Sequence, residues 1–144
     1  MLIADVLRVK GRNVVKVNAS DSVRTAVHLL AANRIGAVVV EDQRLRLVGV
    51  FSERDFINAV ASHGAVALQM QVHELMSAPI ISCRSAERID AALATMTLAK
   101  IRHLPVIDDE QLSGIVSIGD LVSHRLDEKE LEANVLLDLA RMRA

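Results

Sequence analysis

The feature that most constrains this sequence is an internal duplication. The run Gly49-Val50-Phe51-Ser52-Glu53-Arg54-Asp55 recurs as Gly114-Ile115-Val116-Ser117-Ile118-Gly119-Asp120, with glycine, serine and aspartate at the same mutual spacing. Upstream, Val23-Arg24-Thr25-Ala26 matches Ile89-Asp90-Ala91-Ala92, and Ile35 matches Ile101. The second copy is one residue shorter between Ile101 and Gly114 than the first is between Ile35 and Gly49. The missing residue belongs to the turn between Arg44 and Leu47. A repeat of this kind sets the architecture before any single residue does. Each half, at about 60 residues, would bury too little surface to be stable alone, so the halves are expected to fold together. Two half-units about a pseudo-two-fold axis, with equivalent clefts, are the expected arrangement.

Composition narrows the classes. Of 144 residues, 51% are hydrophobic and 24% charged, a globular balance rather than a disordered one. Phe51 and Phe56 are the only aromatics, so the core must be aliphatic and a planar ligand would lie against aliphatic walls or backbone. The net charge of −1 provides no basic face for nucleic acid. The lone Cys83 excludes an intramolecular disulfide and fits a reducing compartment. The first residues lack a charged n-region and a long apolar run, and the apolar runs are strand-length. A soluble cytoplasmic protein, with neither a membrane nor a nucleic-acid partner, is expected.

The hydrophobic pattern predicts, in order, a short helix over 3–9 stopped near Gly11, a strand over 14–17 and a helix over 22–33. Ser20 or Asp21 is its expected cap and Gly36 its stop. Ala37-Val38-Val39-Val40 reads as a strand buried on both faces. A polar turn, a strand over 47–51 and a helix from Ser52 follow. After a break at Ser62-His63-Gly64 and a connector of undefined form, a short helix over 72–76 precedes Pro79, and the order recurs. The second set is a strand over 80–83, a helix over 87–99, strands over 104–107 and 112–116, and a helix over 118–126. A separate charged helix is expected from Asp127. The fold class is therefore α/β (α+β), with two strand–helix–strand–strand–helix repeats. The expected domains are 1–64, 65–126 and a C-terminal helix over 127–144.

The signature carries the candidate chemistry. Glycine allows close backbone approach. Ser52 and Ser117 stand where a strand gives way to a helix, whose free N–H groups and dipole favour an anion. Asp55 and Asp120 follow one turn later, where a carboxylate can accept the two hydroxyls of a ribose. The same Ser-x-x-Asp spacing is also a capping box, which a repeated helix would need repeated. Arg102 and His103 then place two cations at the start of a buried strand, and the guanidinium suits a phosphate. The equivalent Ile35-Gly36-Ala37 has none, so the two clefts should differ and phosphate should favour the second.

The order strand–helix, hydrophobic-Pro-Val-hydrophobic-Asp in Leu104-Pro105-Val106-Ile107-Asp108, then Gly-x-x-Ser-x-x-Asp, resembles the cystathionine-beta-synthase-type (CBS) domain. A pair of these forms a Bateman module, and the resemblance runs from Val14 to Leu126. It implies repeats packed through their sheets, adenine nucleotides in two composite clefts, and a disc-shaped homodimer. One implied cleft combines Val15, Lys16, Ile35, Gly36 and Ala37 with Ser117 and Asp120. The other combines Ile81, Ser82, Cys83, Arg102, His103 and Leu104 with Ser52, Arg54 and Asp55. Serine replaces the threonine of many members, and Val39 stands where the second repeat has Pro105.

Other chemistries find less support. The five histidines lie far apart without His-x-x-x-His spacing, which argues against a metal site. Cys83 has no assigned base. Glu53 and Asp55 face apart on a helix, and no phosphate-binding glycine loop occurs. The leading expectation is a non-catalytic regulatory module that binds AMP, with ADP, ATP, NAD(H) or S-adenosylmethionine as alternatives, and acts on an effector protein in trans. A ligand-free interaction module is the second reading. A nucleotide-processing enzyme is the third, and only His103 is near enough to serve it as a base.

Overall fold

The computed structural model describes residues 1–143. Six α-helices and two small sheets follow the duplicated order among these residues. They are α1 (Ile3–Lys10), β1 (Lys16–Asn18), α2 (Val23–Asn33), β2 (Ala37–Glu41), β3 (Leu47–Ser52), α3 (Glu53–His63) and α4 (Val72–Leu75), then α5 (Ile89–Ala99), β4 (His103–Asp108), β5 (Gln111–Ser117) and α6 (Ile118–Met142). The connector after α3 is a 3₁₀ turn over Gly64–Gln69.

The chain forms two compact units that are not contiguous in sequence. One is Asn13–Ser82, which holds the first repeat. The other joins Met1–Arg12 to the chain from Cys83 onward, which holds the second. The expected division put the N-terminal helix with the first repeat, as residues 1–64, followed by 65–126 and 127–144. Packing groups it otherwise. Ile3, Val6 and Leu7 of α1 enter the core of Ile89, Ala92, Met96, Leu104, Val106, Val116 and Leu121. Within the other unit, Val72 of α4 fills the same role beside Val17, Val23, Ala26, Val38, Val40 and Phe51. Each short helix therefore packs on the repeat that it does not lead into. Its apolar stripe is buried there against the sheet and the longer helix of that unit.

In the first-repeat unit β1 runs parallel to β2, and β3 is antiparallel on its other side. Val38, Val39 and Val40 are fully buried, as the continuous β-branched run predicts. Each contributes about 1.5–3 kcal/mol of hydrophobic burial. The second-repeat unit keeps only the β4–β5 hairpin, and the strand predicted over 80–83 is reduced to a single bridge between Cys83 and Val106. The cause is one residue. Val39 donates its N–H to the Val15 carbonyl at 3.1 Å, and the equivalent position is Pro105, which has no N–H. What remains is Cys83 N–H to the Pro105 carbonyl at 3.0 Å and Ile107 N–H to the Cys83 carbonyl at 2.8 Å.

Three boundaries differ from expectation. The cap of α2 is Ser22, whose Oγ accepts from Thr25 N–H at 3.2 Å, while Asp21 instead accepts from Asn18 N–H at 3.1 Å. Helix α2 ends at Arg34 in the left-handed region, two residues before Gly36, and α5 ends likewise at Lys100. The two C-terminal helices are one, because no glycine or proline lies between Leu121 and Met142 and the intervening residues favour helix. The shorter second turn is also found: Asp109 and Glu110 close β4 onto β5, whereas residues 42–46 are needed between β2 and β3.

Candidate functional site

Both signatures form the same local structure. Ser52 ends β3 and caps α3. Its Oγ accepts from Asp55 N–H at 3.2 Å, while Asp55 Oδ2 accepts from Ser52 N–H at 2.9 Å. Ser117 ends β5 and caps α6, with Asp120 N–H to Ser117 Oγ at 3.1 Å and Ser117 N–H to Asp120 Oδ2 at 2.8 Å. The reciprocal bonds of a capping box are thus present in both copies. Each serine and aspartate remains half-buried rather than enclosed.

The glycines of the signature serve packing. A Cβ at Gly114 would lie 2.7 Å from Leu7 Cδ2, and one at Gly49 would lie 2.6 Å from Met76 Sδ and 2.9 Å from the Ser77 carbonyl. The close approach expected of a ligand is therefore made by a side chain of the short helix. Leu7 and Met76 occupy equivalent places in the two units.

The aspartates differ in their third partner. Asp55 Oδ1 accepts from Ser77 Oγ at 2.8 Å, whereas Asp120 Oδ2 lies 2.5 Å from Lys10 Nζ. Burial would raise the Asp120 carboxyl, but the Lys10 ammonium and the Ser117 N–H outweigh it and hold it below the ordinary 3.8. A ribose hydroxyl approaching Asp55 would compete with a neutral hydroxyl, and one approaching Asp120 would compete with a cation. Neither Lys10 nor Ser77 is identifiable from the sequence as a neighbour of these carboxylates. Lys10 reads only as a cation in the last turn of a helix, 110 residues away.

The residues that open the central strands lie beside the signature of their own repeat. Ala37 pairs with Ser52, and Glu53 donates its N–H to the Gly36 carbonyl at 3.0 Å. His103 pairs with Ser117, and Ile118 donates to the Arg102 carbonyl at 2.8 Å. Arg102 is exposed and His103 half-buried at this corner, so the second-repeat unit gathers Arg102, His103, Ser117, Asp120 and Lys10. In the other unit Arg54 is exposed on α3, Val15 and Ile35 are half-buried, and Lys16 lies 3.7 Å from Glu41. Ile35 also lines an open apolar groove of about 560 Å³ between α2 and α3, with Phe56 and Ile57 opposite.

Some expected residues have side chains turned inward. Ala37, Cys83 and Leu104 are buried. Burial, with Glu87 and Asp108 adding like charge, pushes the Cys83 thiol up to about 12, so it is a core group and no nucleophile. Ile81 and Ser82 are exposed on the segment that Pro105 leaves unpaired. No cluster of histidine, cysteine and carboxylate fit for a metal occurs among the described residues, and no helix there is long and apolar enough to cross a membrane.

A duplicated unit of two or three strands, capped by paired Ser-x-x-Asp turns and exchanging short helices, defines a tandem-repeat α/β module. The chain belongs to the CBS-domain family: the CBS domain profile matches residues 4–62 and 72–127. The mitochondrial CBS domain-containing protein CBSX3 of Arabidopsis thaliana is 30% identical over 146 residues, covering 92% of this chain and 71% of that one. The crystal structure of the CBS-domain containing protein ATU1752 from Agrobacterium tumefaciens is 40% identical, with a TM-score of 0.83 over 86% of this chain and 92% of that one. The CBS domain pair of MJ0100, solved with 5′-methylthioadenosine and S-adenosyl-L-methionine, is 24% identical with a TM-score of 0.77 and shares the fold over 90% of this chain and 98% of that one. The chain spans only 33% and 57% of two further curated relatives.

Proposed function

We propose that this CBS-domain pair is a non-catalytic regulatory module that binds an adenosine-containing ligand and acts on an effector protein in trans as a homodimer. The observation that carries this reading is the corner of the second-repeat unit, where the N-terminus of α6, Ser117 and Asp120 adjoin Arg102, His103 and Lys10. Helix N–H groups and cations suit a phosphate or carboxylate, and a half-buried carboxylate suits a ribose diol. The ligands of the MJ0100 pair, both adenosine derivatives, support the same class. AMP, ADP, ATP, NAD(H) and S-adenosylmethionine all belong to it. The binding set is Val15, Lys16, Ile35, Gly36, Ala37, Ser52, Arg54 and Asp55 from the first-repeat unit, with Ile81 and Ser82. Cys83, Arg102, His103, Leu104, Ser117 and Asp120 complete it, with Ala37, Cys83 and Leu104 contributing backbone. A bound ligand regulates only by the difference in its affinity between two packings of the module.

The test is mass spectrometry of small molecules released from the denatured protein, followed by calorimetric titration of each nucleotide. An adenosine compound near one per chain, with binding lost in Asp55→Ala or Asp120→Ala, is the expected result. If either variant kept full affinity and lost only about 1 kcal/mol of stability, its aspartate would be a helix cap and nothing more.

A further inference from the structure

We infer that Lys10 is a specificity-determining residue of the Asp120 corner, one that disfavours uncharged adenosine ligands and admits those that carry a phosphate. The inference rests on the reading of this corner as an adenosine site and narrows the chemistry of its ligand. Lys10 and Asp120 both belong to the unit that holds the second repeat. Packing brings the lysine there. Leu7, one turn earlier on α1, is buried and lies 2.7 Å from where a Cβ on Gly114 would stand. One residue past that glycine, the Ile115 carbonyl accepts from Lys10 Nζ at 2.8 Å, and Asp120 Oδ2 lies 2.5 Å from the same nitrogen.

The bonds already on that oxygen decide what a ribose must displace. Asp120 Oδ2 accepts from the Ser117 N–H at 2.8 Å as well as from Lys10. A carboxylate oxygen offers about two lone-pair sites, so Oδ2 is filled. A vicinal diol that bonds both oxygens of the carboxylate has to remove one of the two donors. The Ser117 N–H is held by the backbone of the β5–α6 turn, whereas the lysine is a flexible stem. Once displaced, the ammonium keeps the Ile115 carbonyl but loses its carboxylate, on a side chain only 34% exposed. A ligand with a phosphate brings a replacement anion, and the exchange is nearly neutral. An uncharged ligand brings none, and the ion pair is lost outright. Asp55 imposes no such condition through its own third partner, because Ser77 Oγ at 2.8 Å is a neutral hydroxyl that water can satisfy.

Calorimetric titration of the full chain with AMP and with adenosine tests this. The two ligands share the base and the ribose diol and differ in the phosphate. The natural protein should prefer AMP. Lys10→Met should tighten adenosine about two- to fivefold, the worth of a partly exposed ion pair, without tightening AMP. A lysine that served only to hold α1 in place would weaken both ligands together when replaced. An AMP-to-adenosine affinity ratio that stayed the same in the variant would therefore overturn the inference while leaving adenosine binding intact. Binding of neither ligand to the natural protein would sink the adenosine reading of this corner, and the inference with it.

Discussion

Lys10 and Asp120, 110 residues apart, meet at 2.5 Å, and the same ammonium donates to the Ile115 carbonyl at 2.8 Å. The contact ties the last turn of α1 to the first turn of α6, where an acid also suits the helix dipole. Lys10→Met should cost about 0.2–1 kcal/mol at neutral pH, since both groups are partly exposed. The folded carboxyl is held below the ordinary 3.8. Its contribution is therefore present above that value and lost as pH falls through the folded pKa. Urea unfolding of the two proteins, followed by circular dichroism, should show a gap at pH 7 that closes in that acid window. A gap that persisted unchanged in acid would mean that Lys10 acts through packing alone.

The signature glycines are predicted to be intolerant for reasons of space. Gly114→Ala drives a methyl into Leu7 Cδ2, and Gly49→Ala into Met76 Sδ and the Ser77 carbonyl. A loss of about 1–3 kcal/mol is expected for each. Gly49→Ala should be the worse, because a carbonyl yields less than a side-chain terminus. Combining Gly114→Ala with Leu7→Ala should cost less than the sum of the two changes. Strict additivity in chemical denaturation would count against the contact.

Arg34 and Lys100 end α2 and α5 at φ 53 and 57, a region where a side chain is strained. Arg34→Gly or Lys100→Gly should leave stability unchanged or raise it by about 0.5–1 kcal/mol, relief of strain being offset by the more flexible unfolded chain. A clear fall in the unfolding midpoint would show that these side chains hold something the backbone does not.

Cys83 should resist thiol reagents in the folded protein. Burial raises its thiol to about 12, so at pH 8 almost no thiolate exists. Labelling by a disulfide reagent, timed with and without denaturant, should be slow in the first case and complete within the mixing time in the second. Rapid labelling of the native protein would show that the Cys83–Val106 bridge opens readily.

Much of this protein is legible in its sequence because the determinants are local. The duplicated signature announces two equivalent strand-to-helix turns, and the Ser-x-x-Asp spacing by itself dictates the reciprocal bonds of Ser52 with Asp55 and Ser117 with Asp120. The run from Val38 to Val40 identifies a strand buried on both faces. The family resemblance rests on the same local patterns, and the profile match bears it out.

Other features were settled only by packing. The loss of a strand at Cys83 turns on the missing N–H of Pro105, and both the proline and the strand pattern over 80–83 are visible in sequence while their position opposite one another is not. The exchange of α1 and α4 between repeats, the glycines shaped by Leu7 and Met76, and the cation on Asp120 all join residues distant in the chain. Periodicity and capping rules act within a few residues and so determined the elements, their order and their repetition. Which helix lies on which sheet, and what each aspartate touches, depends on the free energy of burying side chains from remote segments. Only the tertiary structure could decide that.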